Sequence, residues 1–251
     1  MNKANPVFSS SELSEQGARL LARNDGCAVW QFRNESGDGT MTVYDVFPGV
    51  MPSFNDFHMS HYESAYVASR PLFAVDHCRE GRMEYAAGAN AVAYTGAGDM
   101  KLDLRKQHTG AFHFPSSHYH GLTAAFDLGT ARTALPGELR DFPVTLEHIL
   151  ARWQLGDYPR VVHGMESMEH IFSEMYRVPE KIRIPYFKVK ILEMLLYLDT
   201  VSIPEDSGER PYFYRSQVEK VRAIHAFLLE NPSENFTQEE LSRRFDLPLT
   251  A

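Results

Sequence analysis

The side chains best able to do chemistry in this chain are its histidines. His118-Tyr119-His120 repeats the imidazole at a spacing of two. On a strand that spacing puts both rings on one face. A carboxylate and a further histidine beside them could close an iron, manganese or zinc site. The positions that would supply the carboxylate hold Ala124 and Ala125. His58-x-x-His61 has a spacing that suits a helix, not a strand. No serine or cysteine nucleophile motif, phosphate loop or glycine-rich nucleotide fingerprint is present. The sequence therefore points to no catalytic residue, no cofactor, no stoichiometric transition metal and no turnover. The histidines read instead as interior polar groups held by hydrogen bonds, or as the lining of a pocket. Together with two tyrosines they make the expected ligand-binding set: Tyr44, His58, His77, Tyr85, His113, His118 and His120, several of them facing one cavity.

Strands must position these residues. Residues 40–46 alternate apolar and polar, as do 100–105. Residues 72–78 run into Arg79-Glu80-Gly81-Arg82 and out through 83–85, the pattern of a hairpin with a glycine turn. Residues 91–94 precede a Gly96-Ala97-Gly98-Asp99 turn, and 111–114 and 119–128 complete the set. Short strands with turn signals about every ten residues imply a sandwich or barrel.

Helical spacing takes over at 145–201. Thr145 is placed to cap a helix carrying Leu146, Ile149, Leu150 and Trp153. Met165, Met168, Ile171, Phe172 and Met175 follow at intervals of three and four, and Pro185 suits the first turn of another helix. That last helix is apolar on more than one face. Val189, Leu192, Leu195 and Leu196 are its expected dimerisation residues. A polar, Pro- and Gly-bearing linker follows at 202–214.

The final residues, 215–251, read as two short helices and a tight turn. Thr237 with Glu240, and Ser216 with Glu219, have capping-box spacing, and Phe236 with Leu241 has the spacing of a hydrophobic staple. Val218, Val221, Ile224, Leu228, Thr237, Glu240, Leu241 and Phe245 are the expected structural core of this unit, and Asn231-Pro232 ends its first helix. The segment VEKVRAIHAFLLENPSENFTQEELSRRFDLPLTA resembles the start of an AraC/XylS-type DNA-binding domain, in its long first helix, its NP loop, Thr237-x-x-Glu240-Leu241 and Arg244-Phe245. It departs from the family where Ser242 replaces a usual Ala and Asp246 a usual Gly. Asp tolerates a left-handed turn, so the turn survives.

Residues 40–130 resemble the cupin-like sensor half of the same regulators, in HCREGRMEY, YTGAGDMKL and FHFPSSHYHGLTAAFDL. A metal-binding cupin would carry a Gly where Phe112 stands, and a later strand with a further His, which is missing.

The resemblance implies an α+β chain: an N-terminal arm or helix over 1–39, a cupin-like ligand-sensing barrel over 40–130, packing or dimerisation helices over 145–201, and an incomplete helix-turn-helix over 215–251. It implies a ligand-responsive transcriptional regulator, not an enzyme. The expected partners are a small-molecule effector and a second copy of the chain. The family's two recognition helices lie beyond what these 251 residues hold. Promoter DNA is expected as a partner only where the full DNA-binding domain is present. The alternatives are a metal-dependent cupin enzyme, and a truncated interaction protein that dimerises with full-length regulators.

Charge agrees with the restriction on DNA. The formal net charge is −8, opposite to that of a nucleic-acid binder. In 215–251, Arg215, Lys220, Arg222, Arg243 and Arg244 are outnumbered by Glu219, Glu230, Glu234, Glu239, Glu240 and Asp246. No apolar run reaches membrane-spanning length, the N-terminus lacks a signal core, and Cys27 and Cys78 alone do not suggest a disulfide scaffold. A cytoplasmic protein with no membrane partner is expected.

Overall fold

The computed structural model describes residues 13, 17–24, 26–87, 89–138, 141–156, 159–203 and 212–249. Eight strands come first: β1 (Arg19–Asn24), β2 (Cys27–Asn34), β3 (Gly37–Tyr44), β4 (Val50–His58), β5 (His61–Ala86), β6 (Ala91–Gly96), β7 (Met100–His113) and β8 (Tyr119–Asp127). Helices α1 (Leu128–Glu138) and α2 (Leu146–Arg152), strand β9 (Arg160–Val162), and helices α3 (Glu166–Arg177) and α4 (Arg183–Thr200) follow. Strand β10 (Tyr212–Tyr214) then leads into α5 (Arg215–Glu230) and α6 (Gln238–Phe245). Most of the expected linker lies outside the described residues. No described helix is long and apolar enough to cross a membrane.

The fold is α+β: an antiparallel half-barrel followed by helices. The sheet runs β1-β2-β3-β4-β8-β5-β6-β10, with β7 on β5 and β9 on β7. Of the arm or helix expected over 1–39, residues 1–12 and 14–16 lie outside the described residues; from Arg19 onward the chain forms β1 and β2, because CAVWQFRN alternates and pairs with β3 from Cys27↔Tyr44 to Asn34↔Gly37.

The hairpin expected within 72–85 is also corrected. The chain continues through Gly81 as one strand, and the hairpin lies later, from Arg82↔Gly96 to Ala86↔Val92. Gly81, at φ +81, is needed for close approach: a Cβ there would stand 2.1 Å from the His118 carbonyl oxygen.

Along their central stretches β4, β5 and β8 are covered on both faces. Phe73, Val75, Leu122, Ala124 and Phe126 face the helices and pack with Trp153, Ile171, Phe172, Phe187 and Leu198. Met51, Leu72, Cys78, Tyr119 and Ala125 face the barrel interior with Trp30, Phe32, Met83 and Phe112. A strand buried on both faces shows no polar side, so its sequence does not say which side is inside.

The helices form for local reasons. Thr145 caps α2 by accepting from the His148 N–H, and α3 buries Met168, Ile171, Phe172 and Met175 at the expected spacing. The sequence did not suggest α1, since Gly129, Pro136 and Gly137 sit within it. Asp127 starts it, accepting from the Gly129 N–H at 2.9 Å and the Thr130 hydroxyl at 2.9 Å.

At the C-terminal end the Thr237–Glu240 capping box is present, and Asp246 takes the left-handed conformation. The Ser216–Glu219 box is not: the N-cap position falls two residues earlier, on Tyr214, and α5 begins at Arg215 without a side-chain cap. The expected core of this unit is corrected at two positions. Val221 and Leu228 are exposed, while Phe227 gathers Phe236, Phe245 and the Arg244 guanidinium.

Candidate functional site

The half-barrel encloses a cavity of about 140 Å³. Strand parity fills its walls. Ser53, Asn55 and Phe57 point in from β4, Asp76 and Met83 from β5, Lys101, Arg105 and Phe112 from β7, and Tyr119 and Thr123 from β8. Leu13, Phe32, Met41, Tyr62, Ser64 and Phe114 complete it. One part is aromatic: Phe57 stacks on Phe114 at 5.6 Å and lies 6.5 Å from Tyr119.

The other part is a buried charge cluster. Asp76 Oδ2 lies 3.0 Å from Lys101 Nζ and accepts from Arg105 Nη2 at 2.8 Å. Its Oδ1 accepts from the Thr123 hydroxyl at 2.6 Å, and Thr123 accepts from Asn55 Nδ2 at 3.1 Å. Asp103 supports Arg105 from the margin, 3.3 Å from its Nε. Burial pushes the Asp76 carboxyl up, but the Lys101 and Arg105 cations and the Thr123 hydrogen bond outweigh it, holding it far below the usual carboxylate range. Burial likewise pulls Lys101 down, and Asp76 reverses that into a net rise. Both cations and the carboxylate therefore stay ionised. The cluster can orient a polar head by charge and hydrogen bonding.

The residues expected to line a pocket take other places. His58, His118 and His120 stand on the outer side of β4 and β8, and His113 borders a separate cleft. Tyr44 is buried under α4, accepting from Arg183 Nη1 at 2.8 Å. His77 is buried under α3, its ring 4.3 Å from that of Phe172 and its Nε2 3.1 Å from Glu169 Oε2. Burial lowers the His77 pKa, with Glu169 opposing it. Tyr85 is nearest to the expected role, its ring 4.9 Å from Lys101 Nζ.

The correction is one of parity. Phe57 lines the cavity rather than His58, Asp76 rather than His77, Phe112 and Phe114 rather than His113, and Tyr119 rather than His118 or His120. A one-residue shift turns each side chain to the opposite face. Of the missed residues Asp76 had a usable signal, a carboxylate inside the largely apolar run 72–78.

The second cleft, of about 540 Å³, separates the end of the barrel from α5. Glu84 spans it. Its Oε1 lies 3.1 Å from Arg82 Nη2, and its Oε2 accepts from Arg222 Nη2 of α5 at 2.6 Å. Strand β10 pairs with β6 from Tyr212↔Ala93 to Tyr214↔Ala91, and the Arg215 N–H reaches the Asn90 carbonyl at 2.9 Å. The two-helix unit is thus attached to the sheet edge.

The expected dimerisation residues divide. Leu195 is buried and Leu192 packs partly against the core, whereas Val189 and Leu196 are exposed.

No family model and no curated protein sequence matches the chain. Solved structures overlap with it at low similarity. The AraC-like transcriptional activator CuxR is 14% identical over 95% of this chain and 79% of its own, with a TM-score of 0.43. ToxT from Vibrio cholerae, bound to an unsaturated fatty acid, is 8% identical over 87% of this chain and 73% of its own, with a TM-score of 0.33. An ethanolamine utilization protein from Salmonella typhimurium is 14% identical over 44% of this chain and 94% of its own, with a TM-score of 0.30. Overlaps of this size assign no function.

Proposed function

We propose that the chain is the sensing part of an AraC-type transcriptional regulator, taking a small effector inside its barrel and passing the occupancy to the C-terminal helices. One observation carries this reading: the cavity wall and the attachment of the helices share one stretch of β5. Met83 faces the cavity, and the next residue, Glu84, holds Arg222 of α5. A shift of β5 on binding would move both. A cavity of 140 Å³ is close to one known to hold benzene, so the effector has roughly six to ten heavy atoms. Its body is apolar, and its head meets Lys101, Arg105 and Asn55.

The cavity's charged cluster is paired and hydrogen-bonded, an arrangement suited to recognition rather than turnover. Such a regulator works in the cytoplasm.

The test is a thermal-shift survey of small aromatic and aliphatic acids and amides, followed by hydrogen exchange with the best binder. Binding should weaken at least about tenfold in Lys101→Met, as expected when a charge-assisted contact is lost. Exchange protection at α5 should change on binding in the wild type and not in Glu84→Gln. Binding that is indifferent to Lys101, or occupancy that leaves α5 unaltered, would sink the reading.

We also propose a homodimer, formed through the exposed Val189 and Leu196 of α4. Val189→Glu with Leu196→Glu should give a folded monomer by sedimentation, while Leu195→Glu should damage the fold itself. A wild-type chain that sediments as a monomer at high micromolar concentration would exclude the dimer.

A further inference from the structure

The fold gathers metal-ligating side chains on the outside of the barrel. Asp56 and His58 project outward from β4, with Phe57 between them turned to the cavity. Strand β4 pairs with β8 as Asp56↔His120 and Phe57↔Tyr119, and His58 and His118 are the next residue beyond this register on each side. The two rings lie 5.0 Å apart between centroids. Asp56 Oδ1 is 3.0 Å from His58 Nε2, and one ligand atom from each of Asp56, His58 and His118 falls within 4.8 Å of the others. From the other flank, β5 sets Glu80 opposite His120, and Glu80 Oε2 lies 3.4 Å from His118 Nε2.

We propose that Asp56, His58 and His118 bind a divalent transition ion of the zinc type on this outer face, with Glu80 as fourth ligand. Imidazole and carboxylate together suit zinc. Bonds of about 2.0–2.2 Å in a tetrahedron put ligand atoms roughly 3.3–3.5 Å apart. The Asp56–His58 and His118–Glu80 contacts, at 3.0 and 3.4 Å, are already near that spacing, and closing the set requires the two pairs to rotate toward each other. The side chains are reachable: His58 is 60% exposed and Asp56 48%. This revises the expectation of no transition metal. That expectation looked for partners of His118 along its own strand, whereas the cross-strand register supplies them. The ion would tie β4 to the segment before β8, directly outside Phe57 and Tyr119 of the cavity wall.

The test is calorimetric titration of the untagged full chain with zinc chloride, beside circular dichroism of each variant. One ion per chain is expected, with a dissociation constant in the micromolar range or tighter. His58→Ala and His118→Ala should each weaken it at least about tenfold, as loss of a ligand requires. Glu80→Gln should weaken it less, and His120→Ala should leave it in place. No saturable binding at about 100 µM zinc, a level far above the expected constant, would overturn the proposal. So would binding unchanged in folded His58→Ala, or binding lost in His120→Ala while it survives His58→Ala.

Discussion

Asp76→Ala lowers the unfolding free energy by about 3–5 kcal/mol, the usual cost of removing one partner from a buried ion pair. The size follows from what is left behind. Lys101 and Arg105 remain buried, and the Thr123 hydroxyl loses its acceptor. Lys101→Met costs less, because Asp76 keeps Arg105 at 2.8 Å. Urea denaturation of both variants decides it. Equal losses, or an Asp76→Ala loss under about 1 kcal/mol, would mean that water reaches the cluster and screens it. Single domains are stable by only about 5–15 kcal/mol, so Asp76→Ala should be marginal at 37 °C.

Trp153→Ala costs about 3–5 kcal/mol, the range for deleting a fully buried aromatic side chain. Trp153 is fully buried between the sheet and the helices, and its Nε1 donates to the Leu198 carbonyl at 2.8 Å. The substitution opens a cavity and leaves that carbonyl at the end of α4 without its donor. Trp153→Phe isolates the hydrogen bond and should lose about 1 kcal/mol from that contact, plus a smaller packing loss. A Trp153→Ala midpoint in urea within experimental error of the wild type would show that this helical layer is loosely packed.

The element types were largely legible in the sequence, and the orientation of their faces was not. Thr145 and Thr237 announced their helices because a cap is a local interaction. The 3–4 spacing of Met168 to Met175 worked because α3 buries a single face. The barrel strands resisted because β5 and β8 bury both faces, which removes the alternation that marks inside from outside. Tyr119 and His120 are both plausible pocket residues by type. Only the pairing of β8 with β4 and β5 shows which one faces in. The charged cluster was overlooked for a related reason: Lys101 and Arg105 sit in an alternating stretch where a cation usually marks the solvent side, and here the strand turns them inward. The outer histidine cluster joins positions far apart in the chain, so no local spacing could reveal it.

Strand β8 bears on how the protein is made. It lies between β4 and β5, closing the sheet through pairs such as Val50↔Phe126 and Leu72↔Asp127. On the ribosome, β4 and β5 emerge long before it does. Until roughly half of the 251 residues have been synthesised, each presents an open edge and an apolar face to solvent. Pairing across such sequence separations is slow, so these open edges are where off-pathway strand pairing would start.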